Sequence, residues 1–354
     1  MIPKERLLIP LFEQFISDSA KGKRLKPDGR RIKPQTVDNY RAVLLLIRQY
    51  EQITCAPIRI TTSLSKDKRK LAAERKYWKS FYLKFTQFLY QEKNCFDNYV
   101  GAVIKIIRIF FSYLKKERLL AVGDFYKEFY VCREEIPIIS LLPGQLQFLI
   151  NDVTFENSLS PALQKSKDIF VFGCTVALRS ADLFSIRFTD IEQVGQSQYL
   201  SVTSIKTDTP MRIKLPSYAI AIIEKYSKRR RARKNIFPSI SVNQFNINIR
   251  IIAEKAGWTR AIAKTRTKRG RANEINRTGS RGIFRFCDLL SSHAMRRTAI
   301  TTMLMLGMPE HIVKKISGHA ANSRSFYRYV NLVQSYLDSE ADKVFNKLVN
   351  VNGG

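Results

Sequence analysis

The stretch SSHAMRRTAITTMLMLGMPEHIVKKISGH, Ser291 to His319, decides how the rest of the chain is read. His293 and Arg296 stand three residues apart, so on a helix they occupy neighbouring positions on one face. They also sit at the start of that helix, where unpaired backbone N–H groups and the helix dipole favour an anion. The two side chains and the helix end suit a phosphate, although the spacing alone also fits an ordinary basic helix face. At the other end, Gly318 closes the short helix begun at Pro309 as a glycine cap does, which holds His319 near that helix end.

Working outward, the next residues, SGHAANSRSFYRYVN, place Tyr327 and Tyr329 on either side of Arg328. Upstream, GCTVALRSADLFSIRFTDI sets Arg179 between two apolar segments with Asp182 three residues on. An arginine so placed is either a surface charge in an i,i+3 salt bridge or one held by a carboxylate so that its fork grips an oxyanion. Between these stretches, QYLSVTSIKTDTPMRIKLP alternates polar and apolar residues around a KTDTP turn, as a β-hairpin does, with Lys206 at the tip. A lysine there can reach a nucleic-acid backbone or give a proton to a leaving oxygen, though most turn lysines are merely solvated.

Composition narrows the partner. The 354 residues carry 61 Lys and Arg against 30 Asp and Glu, a formal net charge of +31, which points to a polyanion. Both halves share the excess: residues 1–130 hold 27 basic and 13 acidic side chains, the remainder 34 and 17. With 45% hydrophobic residues the chain has enough apolar side chains for real cores. No apolar run approaches a membrane span, and the apolar run in the N-terminal MIPKERLLIPLFEQF is too short and interrupted for a signal peptide, so no membrane association is expected and a cytoplasmic location is, one that becomes nucleoid-associated if the polyanion is DNA. The five cysteines are scattered without CxxC or Cys/His pairing, against a disulfide framework or zinc.

The expected fold is mainly α with a small antiparallel β-hairpin or sheet: an N-terminal helical bundle over 1–130, a linker over 131–141, an α+β domain over 142–335 and a tail over 336–354. In TVDNYRAVLLLIRQY the apolar positions Val37, Tyr40, Leu44 and Ile47 repeat at helical spacing. So do Tyr99, Val103, Ile106, Phe110 and Tyr113 in the segment NYVGAVIKIIRIFFSYLKK. Another amphipathic helix, AERKYWKSFYLKFTQFLYQEKN, counts Leu83, Phe88 and Leu89 among its apolar residues. The linker is marked by Pro137 and Pro143 flanking a short extended run.

Taken in order, Arg, Lys, His-x-x-Arg, Gly-His and Tyr make the sequence resemble the tyrosine recombinase, or lambda-integrase, family from about residue 35 to 340. LLSSHAMRRT and FYRYV are most similar to integrases of conjugative transposons and related mobile elements. The resemblance implies a helical core-binding domain and a catalytic domain that act on double-stranded DNA. It assigns Arg179, His293, Arg296 and His319 to the scissile phosphate, Asp182 to the support of Arg179, and Lys206 to general acid catalysis. It implies attack by a tyrosine to give a 3′-phosphotyrosyl intermediate, no metal or other cofactor, strand exchange through a Holliday junction by a tetramer on two sites, and a DNA-bending accessory protein as a candidate partner. In relatives the tail docks on a neighbouring protomer.

The spacing from the Gly-His histidine to the nucleophile that is usual in the family falls here on Arg328, with Tyr327 one residue short and Tyr329 one beyond. Two arguments favour Tyr329. SFYRYVN fits the usual family phrase with Phe326 in the core. On a helix Tyr329 shares the side of Phe326, whereas Tyr327 points about 100° away. For DNA contact the candidates are Lys33, Arg41 and Lys105 in the N-terminal part. Further on they are Arg229, Arg230 and Arg231 in KRRRARK, and Lys268 and Arg269 in the segment Arg260–Arg285, which holds nine basic residues and one acid. Either basic segment also reads as a solvated or disordered loop. The competing readings are a type IB topoisomerase, a non-catalytic DNA-binding regulator and a basic RNA-binding protein, the last of which would need stacking aromatics on an exposed face where the aromatics here follow core stripes.

Overall fold

The computed structural model describes residues 5–62, 67–227, 234–276 and 282–350, mostly as helix with small antiparallel sheets, which is the fold class expected. The chain divides into two compact units: Met1–Ile136 together with Thr265–Ile275, and Pro137–Lys264 together with Asn276–Gly354.

In the first unit, β1 (Glu5–Leu7) leads into α1 (Leu8–Ala20), followed by α2 (Pro34–Thr54), β2 (Arg59–Thr61), α3 (Lys68–Gln91) and α4 (Asp97–Lys116). Pro34 starts α2, where its missing N–H costs nothing, and the Asp67 side chain caps α3 by accepting from the Arg69 amide. Phe12, Phe15, Ile47, Trp78, Phe85 and Phe110 are fully buried at the centre. On α2 all four stripe residues, Val37, Tyr40, Leu44 and Ile47, face inward. On α4 the stripe residues Val103, Phe110 and Tyr113 are buried as expected, with Val100, Ile104, Ile107 and Phe111 beside them, whereas Ile106 is only partly buried and Tyr99 lies exposed. Leu83 of α3 is likewise exposed, because Trp78, Phe81, Phe85 and Phe88 define the inner face of that helix.

The second unit runs through α5 (Pro143–Asn151), α6 (Val153–Ser158), α7 (Pro161–Val176) and α8 (Ser180–Phe184). Next come β3 (Ile191–Val194), β4 (Ser197–Thr203) and β5 (Pro210–Lys214), then α9 (Ser217–Ser227) and α10 (Val242–Lys255). The expected hairpin is thus part of a three-stranded meander, with Leu200 opposite both Ile191 and Ile213. Its inward residues Leu200, Met211 and Ile213 are buried, as period-2 alternation requires. Helix α7 is the spine of this unit, buried along most of its length. A Cβ on its Gly173 would stand 2.4 Å from Met295 Sδ, so the glycine lets the following layer pack close.

That layer is α11 (Ser292–Met305), α12 (Glu310–Ile316) and α13 (Arg324–Asn350). Before it, β6 (Ala261–Ile262) pairs with the later β9 (Phe284–Arg285), and between them β7 (Thr265–Lys268) pairs with β8 (Arg271–Glu274) around Arg269 and Gly270. Both turn residues have positive φ, 53° and 74°, the geometry of a two-residue hairpin turn that matches strand twist. A solvated loop was one expectation for this basic segment. It escaped recognition as strands because TRTK and RANE lack apolar alternation. The linker residues 131–141 have no regular structure.

Candidate active site

Helix α7 ends in a left-handed residue, Ala177, at φ 54°. Its carbonyl, released from the helix ladder, accepts a hydrogen bond from Arg296 Nη1 at 2.8 Å. Arg296 is 6% exposed on α11, so this bond satisfies part of a guanidinium that could not otherwise be buried cheaply. Its Nη2 lies 3.3 Å from both ring nitrogens of His319.

His319 is put there by the end of α12. Gly318, at φ 61°, closes a Schellman cap: the His319 amide donates to Lys314 O at 2.9 Å and the Gly318 amide to Lys315 O at 3.3 Å. A Cβ at Gly318 would also meet Met211 Sδ at 2.8 Å, so glycine is required twice over. The buried Ser317 hydroxyl donates to Val313 O at 2.6 Å and stands 2.8 Å from His319 Nδ1. Burial, then Arg296, Arg179 and Lys314, lower the His319 pKa to about 4, so the ring is neutral near pH 7.

Arg179 leads into α8 and donates from Nη1 to Ser204 Oγ at 3.2 Å. The buried Ser204 hydroxyl in turn lies 3.4 Å from Asp182 Oδ2 as its donor, and Asp182 Oδ1 accepts from the Ile205 amide at 2.8 Å. Asp182 therefore reaches Arg179 through Ser204, and it also pins the β4–β5 turn that carries Lys206. The direct i,i+3 pairing considered from sequence gives way to this relay. Lys206 is exposed at the turn, next to Ser204 and Ile205.

His293 opens α11. Its side chain is exposed, and partial desolvation, then the charges of Arg297, Arg296, Lys206 and Arg179, lower its pKa. Arg296 is held near 10, chiefly by burial and then by Arg179, while Tyr329 and Asp182 act in the opposite sense. Cations outnumber carboxylates in this recess, the arrangement that an anion would relieve.

Tyr329 enters from α13. Phe326, fully buried, packs under it with ring centroids 6.2 Å apart, and the Tyr329 ring lies 6.2 Å from that of His319. Tyr329 also acts on Arg297, which flanks Arg296 on α11. Tyr327, half exposed, lies instead beside Lys314, whose Nζ stands 4.8 Å from its ring centroid. Ser204, Ser317 and Arg297 were not singled out from sequence. SGH contains Ser317, but its hydroxyl matters only once Gly318 folds the chain back.

The candidate DNA contacts are scattered. Lys33 caps α2 with extended backbone, and Arg41 pairs with Asp38 at 2.6 Å on an exposed face. Lys105 lines a groove of the first unit with Arg108, Lys115, Lys116, Lys127 and Arg133. Lys268 donates to Asn94 Oδ1 at 2.7 Å, and Arg269 lies over the Tyr90 ring, so both have partners within the protein. Arg229, Arg230 and Arg231 lie outside the described residues. The tail beyond 350 also lies outside them. Among the described residues no helix is long and apolar enough to cross a membrane.

Residues 153–335 match the phage integrase family. Transposase B from transposon Tn554 of Staphylococcus aureus, in strains Mu50 and N315, is 37% identical over 81 residues, which is 23% of this chain and only 12% of the length of that relative. Among solved structures, a lambda integrase dimer bound to a COC′ core site aligns with TM-score 0.59 at 12% identity, over 92% of this chain and 77% of that one. XerH bound to a palindromic difH substrate aligns with TM-score 0.61 at 12% identity, over 94% and 95%. The Tn1549 transposon integrase with transposon right end DNA aligns with TM-score 0.56 at 12% identity, over 92% and 94%. At such identities these three share the fold. The family match covers more than half the chain, which carries a cationic recess faced by a tyrosine: the protein belongs to the phage integrase family.

Proposed function

We propose that this protein is a site-specific DNA recombinase that integrates or excises a mobile element, with Tyr329 as the nucleophile. The observation that carries the reading is the position of Tyr329, facing His319 and acting on Arg296 and Arg297, with Tyr327 turned to Lys314.

The unperturbed phenol pKa is near 10, so attack at neutral pH needs help. Arg179 and Arg296 hold the non-bridging oxygens and stabilise the charge of the pentacoordinate transition state. The Tyr329 oxygen attacks phosphorus and its proton passes to a neutral imidazole, since His293 and His319 are both held below the usual histidine range. The P–O5′ bond breaks, and Lys206 gives a proton to the leaving 5′ oxygen. A 3′-phosphotyrosyl ester remains and conserves the bond energy, so a 5′-hydroxyl of another strand can reverse the reaction without ATP. Four protomers on two double-stranded sites would exchange strands in pairs through a Holliday junction. The domain reading follows: residues 1–130 act as a DNA-binding core-binding domain, 142–335 as the catalytic domain, and the tail from 336 docks on a neighbouring protomer.

The test uses the DNA ends of the flanking element, nicked so that the cleaved fragment escapes, with covalent protein–DNA adduct read on a denaturing gel. Wild type and Tyr327→Phe should form the adduct and Tyr329→Phe should not. Loss only in Tyr327→Phe keeps the chemistry and overturns the register. Tight binding with no adduct in any variant supports a non-catalytic regulator. Relaxation of supercoiled DNA without recombination supports a topoisomerase.

A further inference from the structure

The β7–β8 turn presents two successive backbone N–H groups, those of Arg269 and Gly270, to one carboxylate. The Arg269 amide donates to Asp97 Oδ1 at 2.8 Å and the Gly270 amide to Asp97 Oδ2 at 3.0 Å. Asp97 is 5% exposed and is oriented by Tyr90, whose hydroxyl donates to Oδ1 at 2.7 Å. Around this contact, Lys268 Nζ donates to Asn94 Oδ1 at 2.7 Å, the Arg269 guanidinium lies 5.3 Å from the Tyr90 ring centroid, and the Thr267 amide donates to Glu134 Oε1 at 2.8 Å. All of these residues belong to the first unit, which the hairpin joins although it lies far along the chain.

Paired N–H groups at positive φ, flanked by Lys268, Arg269 and Arg271, form an anion-binding tip of the kind that cradles phosphate oxygens. A carboxylate with both oxygens engaged occupies the tip much as two oxygens of a phosphodiester would. Nothing in the proposed chemistry of the phosphate site uses Asp97, the first residue of α4.

We propose that the Arg269–Gly270 turn is a phosphate-binding tip, that Asp97 fills it in the DNA-free protein as an intramolecular stand-in for a backbone phosphate, and that DNA binding exchanges one for the other. The contact is thus autoinhibitory: it caps the tip until a duplex competes. The inference rests on the DNA-acting reading above only in naming the competitor.

The experiment uses the full chain. Amide hydrogen exchange should show the Arg269 and Gly270 amides protected in wild type and exchanging about tenfold faster or more in Asp97→Asn, whose amide sets an NH2 group against a backbone N–H. The amides of α4 serve as the control for folding. Asn94→Gly, which removes the acceptor for Lys268 at a position whose φ of 48° glycine tolerates, should act in the same direction more weakly. By fluorescence anisotropy, Asp97→Asn should bind a short mixed-sequence duplex about tenfold more tightly than wild type, and adding Lys268→Ala and Arg271→Ala should cancel the gain. Faster exchange with unchanged or weaker DNA binding would overturn the proposal and leave a purely structural strap. Unchanged exchange would also overturn it. A protein that gains affinity in Asp97→Asn yet forms no covalent adduct would keep the proposal and sink the recombinase reading.

Discussion

Arg296 and His319, from two different helices, meet with one guanidinium nitrogen 3.3 Å from the imidazole, and each is immobilised by a backbone device: the left-handed carbonyl of Ala177 for one and the Gly318 cap for the other. Two cation-forming groups brought together in a buried recess are electrostatically unfavourable until an anion arrives.

Arg296 should therefore be intolerant even of lysine. A single ammonium cannot bond Ala177 O, face His319 and grip a phosphate at once. Arg296→Lys and Arg296→Ala should each lower single-turnover cleavage by about 10²-fold or more, measured as the rate of covalent adduct formation under saturating protein.

Lys206 and Asp182 should fail in a way that depends on the leaving group. A substrate with sulfur in place of the 5′ bridging oxygen departs as a thiolate and needs no proton. It should restore cleavage to Lys206→Ala, and largely to Asp182→Asn, where the turn is loosened but the arginines remain. Arg296→Ala should stay inactive on the same substrate, and equal rescue of all three would contradict the assignment.

His319 should contribute to acid sensitivity. Its folded pKa, about 4, lies below the ordinary value of 6.5, so the unfolded chain takes the proton first. The contribution is complete above about pH 6.5 and is lost as pH falls toward 4. Urea midpoints across this window should fall less steeply for His319→Gln than for wild type, and His293, shifted in the same direction, adds to the wild-type slope.

Gly318→Ala should lose both stability and activity. The left-handed backbone costs a non-glycine residue about 1–2 kcal/mol, and the new methyl would stand 2.8 Å from Met211 Sδ. A lower thermal midpoint with a displaced His319 imidazole resonance is the expected pair of readouts. An unchanged midpoint would show that Met211 and the cap relax freely.

Much of this protein was legible in one dimension because its decisive signals are local. Helical periodicity along α2, the KTDTP turn, the His293–Arg296 spacing at a helix start and the glycine before His319 each depend on neighbours a few residues away. The inner faces of α3 and α4 were less so, since Tyr99 and Leu83 are as apolar as the residues that displaced them, and only packing chooses the buried arc.

The sequence by itself determined the family, the order of the basic residues and the excess of positive charge. Only the tertiary structure decided three things that depend on contacts between distant segments. Asp182 meets Arg179 through Ser204, because β4 returns its end to α8. Tyr329, and not Tyr327, turns toward His319, because Phe326 beneath it is fully buried and fixes the rotation of α13. The Arg269–Gly270 turn finds Asp97, because backbone N–H groups at positive φ are bonded by whichever anion the fold delivers, and spacing along a chain does not record that delivery.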